Sequence, residues 1–120
     1  DRLLNKVMKV INDNLGNSDL NVEMIATEVG ISRVHLHRKL KELTNQSTRD
    51  LIRNVRLKQA ASLLANQYHN ITEVASLTGF TNIAYFSTAF KELYGVPPTS
   101  YMEEQQKSSF SDGDKIEQQN

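Results

Sequence analysis

The sequence predicts an all-α fold: two small helix-turn-helix subdomains bridged by a long central helix, about seven helices in all. Three observations predict it. Residues 47–66 run without Gly or Pro and place their apolar side chains in two arcs. The chain on either side of that run is the same unit written twice. Two prolines, no Trp and few β-branched alternations leave little that reads as strand.

Residues 2–15 carry Leu3, Leu4, Val7, Met8, Ile11 and Leu15 at three- and four-residue spacing, an amphipathic helix with Gly16 as its expected stop. Gly16-Asn17-Ser18-Asp19 reads as a turn. Asn21 then caps a short helix from Val22 to Val29, with Val22, Ile25, Ala26 and Val29 on its buried face. At Gly30 the chain must turn sharply, and a positive φ costs glycine little. Ser32 caps a second helix through Leu43. Leu36, Leu40 and Leu43 point inward, and Arg33, Val34, His37, Arg38 and Lys41 lie on the opposite face. A short helix, a glycine turn and a second helix with a polar outer face form the helix-turn-helix pattern.

In the central run, Ser47 or Thr48 supplies the cap. Leu51, Ile52, Val55 and Leu63 fall in one arc, and Leu57, Ala60, Ala61 and Leu64 in the other. A helix on a single core shows one stripe, so two arcs predict contact with two cores. A lobe of about 50 residues is marginal alone, and a shared helix closes both.

The repeat is close. Asn70 to Gly79 aligns with Asn21 to Gly30 at an offset of 49, and Asn82 to Leu93 with Ser32 to Leu43 at 50, one residue being added in the turn. Phe86, Phe90 and Leu93 stand over Leu36, Leu40 and Leu43, and Lys41-Glu42-Leu43 recurs as Lys91-Glu92-Leu93. Gly95 ends this helix, Val96-Pro97-Pro98 prevents its continuation, and Thr99 or Ser100 is expected to cap a final turn reaching Tyr101. The expected organisation is a first helix and lobe over 1–46, a linker helix over 47–66, a second lobe over 67–104 and a disordered acidic, polar tail over 105–120.

The net charge is zero, yet its distribution is uneven. From Arg33 to Lys58, eight Lys and Arg face two carboxylates, a net +6 over 26 residues, whereas residues 101–120 carry −3. With no Cys there is no disulfide framework, thiolate zinc site or cysteine nucleophile. No apolar run reaches membrane length and the start is not signal-like, so no membrane contact and a cytoplasmic location are expected. A chain beginning at Asp1 is expected to be a piece of a longer protein. No Gly-rich phosphate loop, carboxylate pair or nucleophile with a base stands out, so neither enzymatic activity nor a cofactor is expected. His35 and His37, two apart on a helix, diverge and make a poor metal pair, so no metal is expected.

With these residues in view, the chain resembles the DNA-binding domain of the AraC/XylS family of bacterial transcription regulators over residues 2–102. The resemblance is carried by Val74-Ala75, Gly79-Phe80, Tyr85-Phe86-Ser87, Phe90-Lys91, Gly95-Val96-Pro97-Pro98 and Tyr101, with Arg56-Leu57, Ala60 and Leu63-Leu64 in the central helix. It implies two helix-turn-helix subdomains bridged by a long helix, binding to adjacent major-groove segments of double-stranded promoter DNA, and work with RNA polymerase. The stretch from Gly30 to Lys39 resembles the output domains of hybrid two-component sensors. The chain departs from the family at Asn45 and Ser47, where Gly and Pro are frequent, at Thr88, where a basic residue is common, and at Met102, where Arg is.

Within that pattern the expected base readers are Arg33, Val34, His37 and Arg38 in the first lobe and Ile83, Ala84, Ser87 and Thr88 in the second. Arg38 suits guanine O6 and N7; its alternative is an exposed pair with Glu42 one turn on. Val34, Ile83 and Ala84 suit thymine methyls, while Ser87 and Thr88 suit phosphate or adaptable base edges. Expected phosphate contacts are Ser32, Lys41, Arg49, Arg53, Asn82 and Lys91, the two caps because helix N-termini attract anions. Arg56, between the apolar arcs, is expected in a structural salt bridge. The rival class is a helical protein-interaction module, docking the uncharged second face on a partner such as RNA polymerase. The two readers are expected on one side, about 34 Å apart. The isolated domain is expected to bind as a monomer, and dimerisation of a full-length protein is left to parts outside this chain.

Overall fold

The computed structural model describes residues 1–66 and 69–118, with side chains through residue 108. Residues 67 and 68, where the second lobe is expected to begin, and residues 119 and 120 of the expected tail lie outside the described residues. Among the described residues there are seven α-helices and no strand: α1 (Arg2–Asp13), α2 (Val22–Val29), α3 (Arg33–Thr44), α4 (Thr48–Ala65), α5 (Ile71–Leu77), α6 (Ile83–Tyr94) and α7 (Pro98–Gln118). The chain divides into two compact units, Asp1–Arg56 and the chain from Leu57 onward, and the boundary falls inside α4.

The first unit is built on aliphatic side chains. Val7 and Ile11 of α1, Ile25 and Ala26 of α2, and Leu36 and Leu40 of α3 bury against Leu51, Ile52 and Val55 of α4. Asp1 caps α1, its carboxylate accepting from the Leu4 amide at 3.1 Å. That helix stops at Asn14 and not at Gly16. The Asn14 amide donates to the Val10 and Ile11 carbonyls and its side chain to Val10 at 2.8 Å, so the last carbonyls are satisfied without a left-handed glycine.

The second unit is built on rings. Phe86 and Phe90 of α6 join Val74 and Ala75 of α5 and Leu57, Ala60, Ala61 and Leu64 of α4. Phe90 stacks on Tyr94 at 4.7 Å and meets the edge of Tyr101 at 5.4 Å. Leu63 packs here as well, although its arc groups it with Leu51 and Val55. An arc gives a direction around the helix; the position along the axis decides which core a side chain reaches.

The repeat extends to individual hydrogen bonds. The Asn21 and Asn70 side chains cap α2 and α5 by accepting from Met24 and Glu73 amides at 2.9 and 2.8 Å. Gly30 and Gly79 adopt φ of +80° and +86°, and the next amides, Ile31 and Phe80, return to the Ala26 and Ala75 carbonyls at 3.1 and 2.8 Å. Ser32 and Asn82 then cap α3 and α6, accepting from His35 and Tyr85 amides. Asn45 (φ +57°) and Gly95 (φ +81°) close those helices in the left-handed region. Asn tolerates that region better than other side-chain-bearing residues, which explains Asn at a glycine position.

Three further expectations are corrected. Leu43 and Leu93 are each 41% exposed, because the last turns of α3 and α6 run past the shorter helices α2 and α5. The final helix starts at Pro98, which suits a first helical position, rather than behind a Thr99 or Ser100 cap. Residues 105–118, expected as a disordered tail, continue α7. Tyr101 and Met102 anchor its start in the second core. Glu103 to Lys107 favour continuing a helix once it is nucleated, and the helix then runs on through residues 108–114, whose Ser, Asp and Gly do not favour it.

Candidate nucleic-acid interface

In the first unit, α3 presents Arg33, Val34, His37 and Arg38 to solvent on the face opposite Leu36 and Leu40. Val34 is 77% exposed, with no core to account for a branched apolar side chain there. Arg33 reaches Glu23 of α2 at 3.6 Å. Glu42 pairs with Lys39 at 3.8 Å, and among the described residues no carboxylate lies within ion-pair distance of Arg38. His35 is half-buried whereas His37 is exposed.

The expected phosphate-contacting groups of this unit lie on α3 and α4. The Lys41 ammonium sits 3.5 Å from the Asn45 carbonyl at the negative end of α3 and remains exposed. Arg49 is exposed in the first turn of α4, which Ser47 caps by accepting from the Asp50 amide at 3.1 Å. Arg53 is half-buried and pairs with Asp50 at 3.4 Å. Ser32 keeps an exposed position at the start of α3 with its oxygen engaged as the cap. Arg56 stands apart from this group. It is buried, and its Nη2 donates to the Asn17 carbonyl at 2.7 Å, tying α4 to the turn after α1. Burial lowers its pKa from the usual guanidinium value. The Asn17 carbonyl is thus one partner of this guanidinium, a structural role in keeping with its place between the two apolar arcs.

In the second unit, α6 exposes Ile83, Ala84 and Thr88, with Ser87 half-buried and Lys91 exposed nearer its far end. The Thr88 hydroxyl donates to the Ala84 carbonyl at 3.0 Å, so its hydrogen is already engaged within the helix. Asn82 is exposed and serves as the cap. One exposed residue of this region stands in the motif Tyr85-Phe86-Ser87 that carries the resemblance but has no expected role there. Tyr85 is 53% exposed, and its ring lies 6.2 Å from that of Phe80 in the turn. The repeat held the available signal, since Tyr85 aligns with His35 on the flank between the core and outer faces.

Among the described residues no group of three or more His, Asp or Glu side chains could hold a metal ion, and no helix is long and apolar enough to cross a membrane.

Comparison with known proteins agrees with this arrangement. The helix-turn-helix domain family matches residues 25–104. Histidine kinase P4 of Formosa agariphila is 35% identical over 101 residues, 84% of this chain and 7% of that protein. The Msm operon regulatory protein of Streptococcus mutans is 34% identical over 105 residues, 88% of this chain and 37% of that protein. The chain therefore spans well under half of either relative. Among solved structures, the C-terminal domain of AraT, a response regulator from Geobacillus stearothermophilus, superposes with a TM-score of 0.79 at 32% identity, covering 87% of this chain and 86% of that one.

Proposed function

The chain belongs to the AraC/XylS family of helix-turn-helix DNA-binding domains, and on that premise we propose that it is the output domain of a signal-responsive transcription regulator. The observation that carries the reading is the outer face of α3: a capped helix whose exposed Arg38 has no carboxylate partner among the described residues, flanked by Arg33, His37 and Lys41. Such a face costs little to desolvate against a polyanion and offers a bidentate donor to guanine. In this reading Arg33, Val34, His37 and Arg38 read bases in the first lobe, and Ile83, Ala84, Ser87 and Thr88 in the second. Ser32, Lys41, Arg49, Arg53, Asn82 and Lys91 hold phosphates.

Similarity to a histidine kinase and to a response regulator supports a place at the end of a two-component signalling protein. The domain is non-enzymatic, works in the cytoplasm, binds as a monomer because one chain carries two readers, and contacts RNA polymerase when it activates.

The test is selection of bound sites from a random-sequence duplex pool, followed by a salt titration on the selected site. A site of about two helical turns is expected. With about five phosphates neutralised, log K against log salt falls with a slope of roughly −4 to −5. A flat salt response overturns the reading in favour of a protein-docking module.

A further inference from the structure

The outer face of α6 lacks what α3 has. Its first two turns carry no charge, and Lys91 comes only in the third. Methyl contacts from Ile83 and Ala84 are non-directional and cannot by themselves fix a helix on the duplex; phosphate contacts do that. Two polar groups near the start of α6 are already engaged within the helix, and a third is partly covered. The Asn82 oxygen accepts from the Tyr85 amide at 3.0 Å, the Thr88 hydroxyl donates to Ala84, and Ser87 is half-buried.

Tyr85 is differently placed. Half of it is exposed, and its hydroxyl has no protein partner among the described residues. Its ring is propped on Phe80, tilted 44° at 6.2 Å, and Phe80 in turn packs on fully buried Phe86 at 4.9 Å. A ring held in this way reaches outward at small entropic cost, because Tyr has only two side-chain torsions to fix. On the helix it lies between the core side chains Phe86 and Ala89 and the outer side chains Ala84 and Thr88. The flank of a helix in the major groove faces the phosphate wall, not the base edges. The aligned residue in the first lobe, His35, is half-buried, and Ile31 stands in its turn in place of an aromatic prop. That lobe has Arg38 and Lys41 exposed, and Arg33 in an exposed pair with Glu23.

Building on the DNA-binding reading, we propose that Tyr85 is a positioning residue of the second lobe, its hydroxyl donating to a backbone phosphate and so fixing the register in which Ile83, Ala84, Ser87 and Thr88 meet the bases.

Tyr85→Phe removes the donor and keeps the ring on Phe80. On the duplex selected by the unaltered chain, the variant is expected to bind about tenfold more weakly, the scale of one hydrogen bond to a charged acceptor. The loss is expected to be uniform across single-base-pair changes. The salt slope stays the same, because a neutral donor displaces no counterion. The melting temperature of the free domain stays unchanged. Replacing phosphates one at a time by neutral methylphosphonate is expected to reveal one position where the unaltered chain loses affinity and Tyr85→Phe does not. Equal affinity of variant and parent, a loss confined to one base pair, or a lowered melting temperature overturns the proposal. Absence of salt-dependent binding by the unaltered chain overturns the DNA-binding reading itself, so the two failures are distinguishable.

Discussion

Leu40 and Phe90 occupy equivalent places in the repeat, and both are fully buried. Leu40 sits in a core of Leu, Ile and Val, whereas Phe90 touches Phe86, Tyr94 and Tyr101 in a run of rings. The outer faces diverge in step. The first lobe shows arginines, and the second shows small or apolar side chains with a half-exposed tyrosine. The caps, the left-handed glycines and the bonds returning to Ala26 and Ala75 are common to both. A helix-turn-helix unit thus depends on its backbone hydrogen bonds and on volume in the core. The chemistry of its outer face is free to change.

The largest test of that comparison is in the cores. Phe90→Ala is expected to lower unfolding stability by about 3–5 kcal/mol and Leu40→Ala by about 2–5 kcal/mol, with Phe90 at the upper end because several rings lose a neighbour. Urea unfolding followed by circular dichroism measures both, and a loss below about 1 kcal/mol at either site would show that its core can collapse around the gap.

On the outer faces, Arg38→Ala is expected to weaken binding to the best site by about 1–3 kcal/mol and relax preference at one or two base pairs. Thr88→Ala is expected to cost less and to act evenly across sequences. Competition against a panel of single-base-pair changes decides the matter. Relaxed specificity from Thr88→Ala with a uniform loss from Arg38→Ala would reverse the assignment of the reading lobe.

A smaller effect separates the two left-handed closures. A Cβ on Gly95 meets nothing within 4 Å, so Gly95→Ala is expected to cost only the conformational penalty, about 1 kcal/mol. Asn45→Gly is expected to stay within about 0.5 kcal/mol, because its gain in left-handed ease is offset by a freer unfolded chain. Thermal melts of both variants test this, and a large loss at Asn45 would reveal a side-chain role there.

The smallest effect is at the end of α7. Residues 103–108 are exposed apart from half-buried Gln105. Removing residues 105–120 is therefore expected to change stability by no more than about 0.5 kcal/mol. Loss of one net negative charge is expected to hold or slightly raise DNA affinity. A marked drop in melting temperature would show that this segment packs.

Much of the fold was legible because its signals are local. Asn21, Ser32, Asn70 and Asn82 each sit where a side-chain oxygen reaches an amide three residues on, a geometry the sequence alone specifies. Gly30 and Gly79 mark turns that bulkier residues resist, and the outward placement of Arg33, Val34, His37 and Arg38 follows from helical periodicity. The errors arose where a side chain's fate depended on distant chain. Leu43 and Leu93 point inward but lie in last turns beyond the short helices. Leu63 shares a direction with Leu51 but enters the other core.

By itself, then, the sequence determined the helices, their caps, their turns, the repeat and the side of each recognition helix that faces water. These follow from hydrogen bonds and periodicities spanning no more than a few residues. The tertiary structure alone decided which core each side chain of α4 enters, where coverage by a neighbour ends, and which hydroxyls on α6 are engaged. Those outcomes depend on the axial position and length of elements far apart in the chain, and helical periodicity contains no information about either.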